Sequence, residues 1–342
     1  MQRLRNKDIA DMVGVSRAAV TQVLNGSRPG CVSAEKREAI LRIAREHNYH
    51  PDFAAQVLGS GKTKTIGIPM PWMENLTRSP SLSRLLNALI PQLEKRGYML
   101  SLLPASNSSS EAIYQSINLM LSSRRVDGLI INTPFLGPEA GEIIRATKTP
   151  VVTFALSSDT CQKYDGISSV VFDCVPALNE LSNRFSSFGR TAMIYSPVNY
   201  ADNRISIFKS NKALTFFEID RDYYFPFANA AATMVFIRNR WQELKNFRCW
   251  LLQNDRFAYA AACVIREMGL TPGKDILLAG FDNIEENSDA PFFTTVSTPF
   301  DKMAETCAQL LFKQLNSGII SDESVQLPAR IIYRASSKPV NP

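Results

Sequence analysis

Lys7-Asp8-Ile9-Ala10-Asp11-Met12-Val13-Gly14-Val15-Ser16-Arg17-Ala18-Ala19-Val20-Thr21-Gln22-Val23-Leu24-Asn25-Gly26 decides the first part of the fold. Asn6 stands where a helix cap is wanted, and Ile9, Met12 and Val13 follow at helical spacing. Gly14-Val15-Ser16 breaks the run, and Ser16 caps a second helix with Val20, Val23 and Leu24 on one face. Ala10, Gly14 and Val20 occupy the small-contact, turn and packing positions of a helix-turn-helix. A third helix is capped by Ser33 and turns Ile40, Ile43 and Ala44 to the core. A generic three-helix bundle is the alternative; turn spacing combined with local charge favours a nucleic-acid module.

The charge is concentrated on this module. Residues 1–65 hold 11 Lys and Arg against 6 Asp and Glu, whereas the remaining residues hold 27 against 26. The formal net charge of +6 is therefore almost entirely N-terminal, which suits a polyanionic partner. The other residues narrow the chemistry. Only His47 and His50 are present, so a Ser-His-Asp or Cys-His relay and a histidine-ligated metal are excluded from the main body. Six scattered cysteines include no C-x-x-C pair, which argues against a zinc cage or disulfide framework. No apolar run reaches the roughly 18 residues of a membrane span. The expectation is a cytoplasmic chain of two or three domains with no cofactor, no metal and no membrane association.

Beyond residue 64, short β-rich runs alternate with amphipathic stretches, the mark of parallel α/β architecture. Strands are expected over 65–70, 99–103, 128–132, 150–154, 169–173, 191–195, 249–253 and 276–281. Helices are expected near 82–96, 111–124, 176–188, 228–244 and 256–268, with Pro91 kinking the first or ending it early. Two doubly wound units would leave a cleft outside the carboxyl ends of their strands. Gly59-Ser60-Gly61-Lys62-Thr63 ends like a phosphate-binding loop, but Gln56 stands at the required earlier glycine and the segment precedes a strand. Asp255 and Asp282 lie at strand ends, either as general acid and base or as hydrogen-bonding partners of a bound ligand.

The helix-turn-helix stretch resembles the DNA-binding head of the lac repressor/galactose repressor (LacI/GalR) family. Val32-Ser33, Arg37 and Tyr49-His50-Pro51 continue the resemblance, and Ala54-Ala55-Gln56-Val57-Leu58 is similar to the family's hinge helix. Lys64-Thr65-Ile66-Gly67-Ile68, Val126-Asp127-Gly128-Leu129-Ile130-Ile131, Asn254-Asp255, Gly280-Phe281-Asp282 and Thr294-Thr295-Val296 carry it toward the C-terminus. The resemblance implies an N-terminal all-α helix-turn-helix head, then two doubly wound parallel-sheet α/β subdomains of periplasmic-binding-protein-like type. The implied divisions are 1–51 for the head, 52–63 for hinge helix and linker, and 64–342 for effector binding and dimerisation. Within the last, one subdomain would comprise 64–162 and 292–321, the other 163–291 and 322–337, with crossings near 160–166, 290–293 and 320–324.

A docked helix-turn-helix projects Ser16, Arg17, Ala18, Thr21 and Gln22 toward the major groove. Arg17 matches guanine O6/N7 or clamps a phosphate, and Gln22 matches adenine N6/N7. The family usually carries arginine at Gln22, which implies a different operator. Asn6, Asn25, Tyr49, Ala55 and Leu58 complete the implied DNA contacts; Leu58 stands where the family inserts a leucine into the minor groove. Asp52 replaces the usual asparagine as the hinge cap. In the cleft the implied effector residues are Trp72, Ser79, Arg204, Asn254, Asp255 and Asp282, with Asn283 in place of a second aspartate. Trp72 is either a stacking face for a sugar or aromatic ligand or a cover over a core edge. The expected protein is a homodimeric, cytoplasmic regulator, nucleoid-associated on operator DNA and responsive to a sugar or related metabolite. The alternatives are a regulator whose cleft has lost sensing and a sugar-processing enzyme with a basic tail.

Overall fold

The computed structural model describes residues 4–24, 32–71, 80–105, 109–132, 136, 138–155, 166–196, 204–219, 230–284 and 289–337. Its contacts divide the chain into two units, Met1–Thr63 and Lys64–Pro342.

The first unit contains α1 (Asn6–Val13), α2 (Arg17–Leu24), α3 (Ala34–Glu46) and α4 (Phe53–Ser60). Gly14 ends α1 at φ 66°, a left-handed conformation that glycine adopts at little cost. Lys36 Nζ donates to the Gly14 carbonyl at 3.0 Å, tying α3 to the turn. Ile9, Val20 and Ile40 are wholly buried at the centre, each stabilising the unit by about 1.5–3 kcal/mol. Met12 departs from expectation at 58% exposure. Positions 9, 10 and 13 fill the inner face, which leaves position 12 outside. Asn6 is also not the cap. It is the first helical residue, and the N–H of the preceding Arg5 is held by Asp8 Oδ2 at 2.8 Å.

The second unit comprises β1 (Thr65–Pro71), α5 (Pro80–Glu94), β2 (Met99–Ala105), α6 (Ser110–Ser122), β3 (Gly128–Asn132), α7 (Pro138–Thr147), β4 (Val151–Ala155) and β5 (Ser168–Asp173). It continues through α8 (Val175–Phe188), β6 (Thr191–Tyr195), α9 (Arg204–Lys209), β7 (Leu214–Glu218), α10 (Ala230–Asn239), α11 (Trp241–Leu244), β8 (Cys249–Leu252) and α12 (Asp255–Glu267). The last elements are β9 (Leu277–Phe281), β10 (Thr294–Ser297), α13 (Phe300–Ser317), β11 (Ser324–Pro328) and β12 (Arg330–Ile332). They build two six-stranded sheets ordered β11-β5-β4-β3-β1-β2 and β12-β10-β9-β8-β6-β7. Every pairing is parallel except β10 with β12. Chain entry is pinned at Lys64, whose N–H reaches Asp127 Oδ2 at 3.0 Å and whose ammonium lies 4.6 Å from the Tyr98 ring centre.

The crossings differ from expectation. Strand β5 belongs to the first sheet, so the chain first changes lobe at Cys174. Strand β10 belongs to the second sheet while α13 packs on α5 and the first sheet, which puts the return at Thr298–Pro299. The last crossing is Ala329, between β11 in the first sheet and β12 in the second. Hydrophobic runs announce a buried strand but not the sheet that receives it. The sequence reading also omitted β7, β10, β11 and β12. Three of these lie at sheet edges, where one flank meets solvent and the apolar run is broken. Helix α5 continues through Pro91 to Glu94, held by the buried stripe Leu85, Leu86, Leu89 and Leu93.

Gly280 is where β9 meets the start of α12. A Cβ there would lie 2.2 Å from Asp255 Oδ1 and 2.9 Å from Asp255 Cα. Gly280→Ala should therefore destabilise this unit by about 1–3 kcal/mol, measured by urea unfolding of the full chain. A change below about 0.5 kcal/mol, the range of an innocuous surface substitution, would contradict the close approach.

Candidate functional site

The first unit presents α2 as an exposed helix behind a fixed turn. Ser16 Oγ accepts the Ala19 N–H at 3.2 Å and caps it, while Arg17 and Ala18 are exposed and Gln22 is half-buried. Thr21 points into a polar chain. Its hydroxyl donates to Arg17 O at 3.0 Å and accepts from Asn6 Nδ2 at 3.0 Å. Tyr49 OH donates to Asn6 Oδ1 at 2.9 Å. Asn6, Thr21 and Tyr49 thus tie the start of α1, the middle of α2 and the segment after α3 into one surface. Asn25 lies outside the described residues.

Asp52 caps α4, its Oδ1 accepting the Ala55 N–H at 3.1 Å, and Gly61 closes the helix at φ 68°. The phosphate-loop-like stretch therefore ends a helix instead of opening one. Ala55 is exposed. Leu58 is 90% exposed; burying such a side chain is worth about 1.5–3 kcal/mol, so the helix carries an apolar residue in want of a cover. A cavity lined by Leu4, Asn6, Thr21, Tyr49, Ala55 and Gln56 joins this helix to the polar chain.

In the second unit Asn254, Asp255 and Asp282 follow the carboxyl ends of β8 and β9, where open α/β sheets bind ligands. Phe172 of β5 and Phe281 of β9 meet edge to face at 5.9 Å, bringing the two sheets together there. Arg204 opens α9, and its Nη1 lies 3.8 Å from Asp282 Oδ1. The Arg204 guanidinium also stacks 4.2 Å from the Phe281 ring centre. Both side chains keep part of their surface in solvent, at 19% and 17% exposure, so the pair is open to a ligand. Asn254 Oδ1 caps α12 through the Phe257 N–H at 3.0 Å. Asp255 lies deeper, 1% exposed, its Oδ2 accepting the Ile284 N–H at 2.9 Å. That bond supports the loop after β9. Trp72 and Ser79 lie outside the described residues.

The sequence reading missed three polar groups. Arg84 on α5 reaches the second lobe, donating from Nη1 to Asn283 O at 2.8 Å and to Asp282 O at 3.4 Å. Burial pulls its pKa down, and Asp301, Asp282 and Asp255 pull it back. Asn132 Oδ1 and Ser196 Oγ, at the ends of β3 and β6, are buried and find no hydrogen-bond partner among the described residues. The signal was a polar residue closing an apolar strand run, as in Leu129-Ile130-Ile131-Asn132. Arg84, one cation among leucines, carried no spacing signal.

A family model described as bacterial regulatory proteins, lacI family, matches residues 7–52. One for a periplasmic binding protein-like domain matches residues 218–337. The catabolite repressor/activator of Escherichia coli (strain K12) is 30% identical over 242 residues, which are 69% of each chain. The lactose operon repressor of the same strain is 26% identical over 343 residues, covering 96% of this chain and 89% of that one. The fold matches the structure of the lac repressor dimer bound to operator and the anti-inducer ONPF, with a TM-score of 0.78, 24% identity, and 98% and 99% of the two chains covered. With this likeness running from the capped recognition helix to the last crossing, the chain belongs to the lacI family of bacterial regulatory proteins, a DNA-binding transcriptional regulator and not an enzyme.

Proposed function

We propose that this regulator is a homodimeric repressor that acts in the bacterial cytoplasm and reads a two-fold operator through Arg17, Ala18 and Gln22. A small polar metabolite, a sugar or a related compound, controls it from the cleft. The observation that carries this reading is the pairing of an exposed, capped α2 with a nearly naked Leu58 on α4. A polar helix face suits a major groove, and an apolar wedge suits an unstacked minor-groove step. Residues 1–51 then serve as the head, 52–63 as the hinge, and the rest as sensor and dimerisation unit. Asn6, Thr21 and Tyr49 position α2, their polar groups being joined to each other. In the cleft, Arg204 and Asp282 offer a donor fork and an acceptor to vicinal hydroxyls. Asn254 adds a polar group, while Asp255 orders the loop. A ligand shifts operator affinity only by binding the two arrangements of the lobes unequally.

Selection of binding sites from a random DNA pool tests the DNA half. The enriched sites should be inverted repeats, because a symmetric dimer presents two related recognition helices. Sites without dyad symmetry would sink the dimeric reading.

Gln22 supplies a sharper check. Its amide donates to adenine N7 and accepts from N6, a pattern that guanine does not offer. Gln22→Arg should move one symmetric position toward guanine by about 1–3 kcal/mol. An unchanged selection profile would place residue 22 against phosphate or solvent.

A thermal-shift screen of sugars and sugar phosphates tests the cleft. A ligand at about 100 times its Kd adds roughly 2.7 kcal/mol. Asp282→Asn should weaken each hit at least tenfold while leaving operator binding without that compound within about threefold, since removing one buried charged hydrogen bond costs about 1.5–3 kcal/mol. Unchanged ligand affinity in that variant would remove Asp282 from the site.

A further inference from the structure

Arg84 makes a contact that neither the sequence nor the family's head and strand motifs announce. It stands on α5, which packs against α13 in the first lobe. Its guanidinium lies 5.2 Å from the Phe300 ring centre, also in that lobe. Yet its Nη1 donates to two consecutive carbonyls of the second lobe, Asn283 O at 2.8 Å and Asp282 O at 3.4 Å.

The receiving loop is unusual. Asp282 has φ 95° and Asn283 φ 54°, so two successive non-glycine residues lie in the left-handed region, which is strained and persists only where surroundings over-determine it. The second lobe holds the loop by its N–H groups and one side chain. The Asp282 N–H reaches Val296 O at 2.9 Å, the Asn283 N–H reaches Thr295 Oγ1 at 3.1 Å, and the Ile284 N–H reaches Asp255 Oδ2 at 2.9 Å. Arg334 Nη2 donates to Asn283 Oδ1 at 2.5 Å. The carbonyls of Asp282 and Asn283 face the other way, and the cation that takes both belongs to the first lobe. Both bonds come from one nitrogen, Nη1, which donates chiefly to Asn283 O and more distantly to Asp282 O. The Asp282 carboxylate carried by this backbone is the one facing Arg204.

We propose that Arg84 is a clamp across the cleft, a positioning residue that ties the two lobes through the main chain of Asp282 and Asn283. The clamp does two things. It fixes the direction in which Asp282 is aimed at Arg204, and it makes separation of the lobes cost a charge-assisted hydrogen bond. An effector reshapes the cleft only by accommodating this link or by replacing it.

Amide hydrogen exchange by mass spectrometry on the full-length chain tests the clamp, comparing wild type with Arg84→Met and Arg84→Lys. Methionine keeps an unbranched stem over Phe300 and removes the donors; lysine keeps one cationic donor nitrogen on a flexible stem. Arg84→Met should raise exchange at least threefold in residues 281–284 and in 82–86, with β8 unchanged, and Arg84→Lys should recover part of the protection. A rise below threefold in 281–284 overturns the proposal. So does an equal rise in Cys249–Leu252, which would mark general loosening, or no recovery in the lysine variant.

Discussion

The Asp255 carboxylate takes the Ile284 N–H at 2.9 Å in the space left by the missing side chain of Gly280. A carboxyl group this deeply buried is tolerated only with hydrogen-bond partners, and it lies in the first turn of α12. The bond fixes the chain directly after Asp282 and Asn283, at the point where it leaves β9 and changes direction. Together with the Asp282 and Asn283 N–H bonds to Val296 O and Thr295 Oγ1, it holds a loop in which both residues are left-handed, Asp282 faces Arg204, and the two carbonyls accept from Arg84.

The DNA-reading unit is built on the same plan with lighter materials. A left-handed glycine makes the turn, a lysine satisfies its carbonyl, and Ser16 caps the helix that follows. The polar chain of Tyr49, Asn6 and Thr21 then holds α2 against α1 and the segment after α3. These side chains face inward, so that Arg17 and Ala18 are left to face outward. The apolar burden lies elsewhere, on Leu58 of α4. Eight residues make a marginal helix alone, so its stability depends on what covers that leucine.

Much of this was legible in the residues. Helical periodicity and cap residues located α2 and α3, because local chemistry decides helix ends. Central strands such as β3, β4 and β9 declared themselves as continuous apolar runs, being buried on both faces. Lobe membership was not legible: β5 and β8 read alike, and only pairing assigns them to different sheets. In the site, Arg204 and Asp282 were expected and do meet. Asp255, expected at the ligand, is 1% exposed and bonds the Ile284 N–H of the loop beside Gly280. Arg84 escaped notice because its partners are main-chain carbonyls 198 and 199 positions away, which leave no trace in residue type.

A DNA-binding unit of this kind holds operator by combining phosphate neutralisation with base reading. The direct measurement is the dependence of affinity on salt for a selected operator and for unrelated duplex DNA, on the full-length protein. Several Lys and Arg contacts predict a steep fall, with a log–log slope of roughly −0.9 for each phosphate neutralised, and an operator bound about 10³-fold or more tighter than unrelated DNA at the same salt. A slope near zero, or equal affinity for both duplexes, would contradict it.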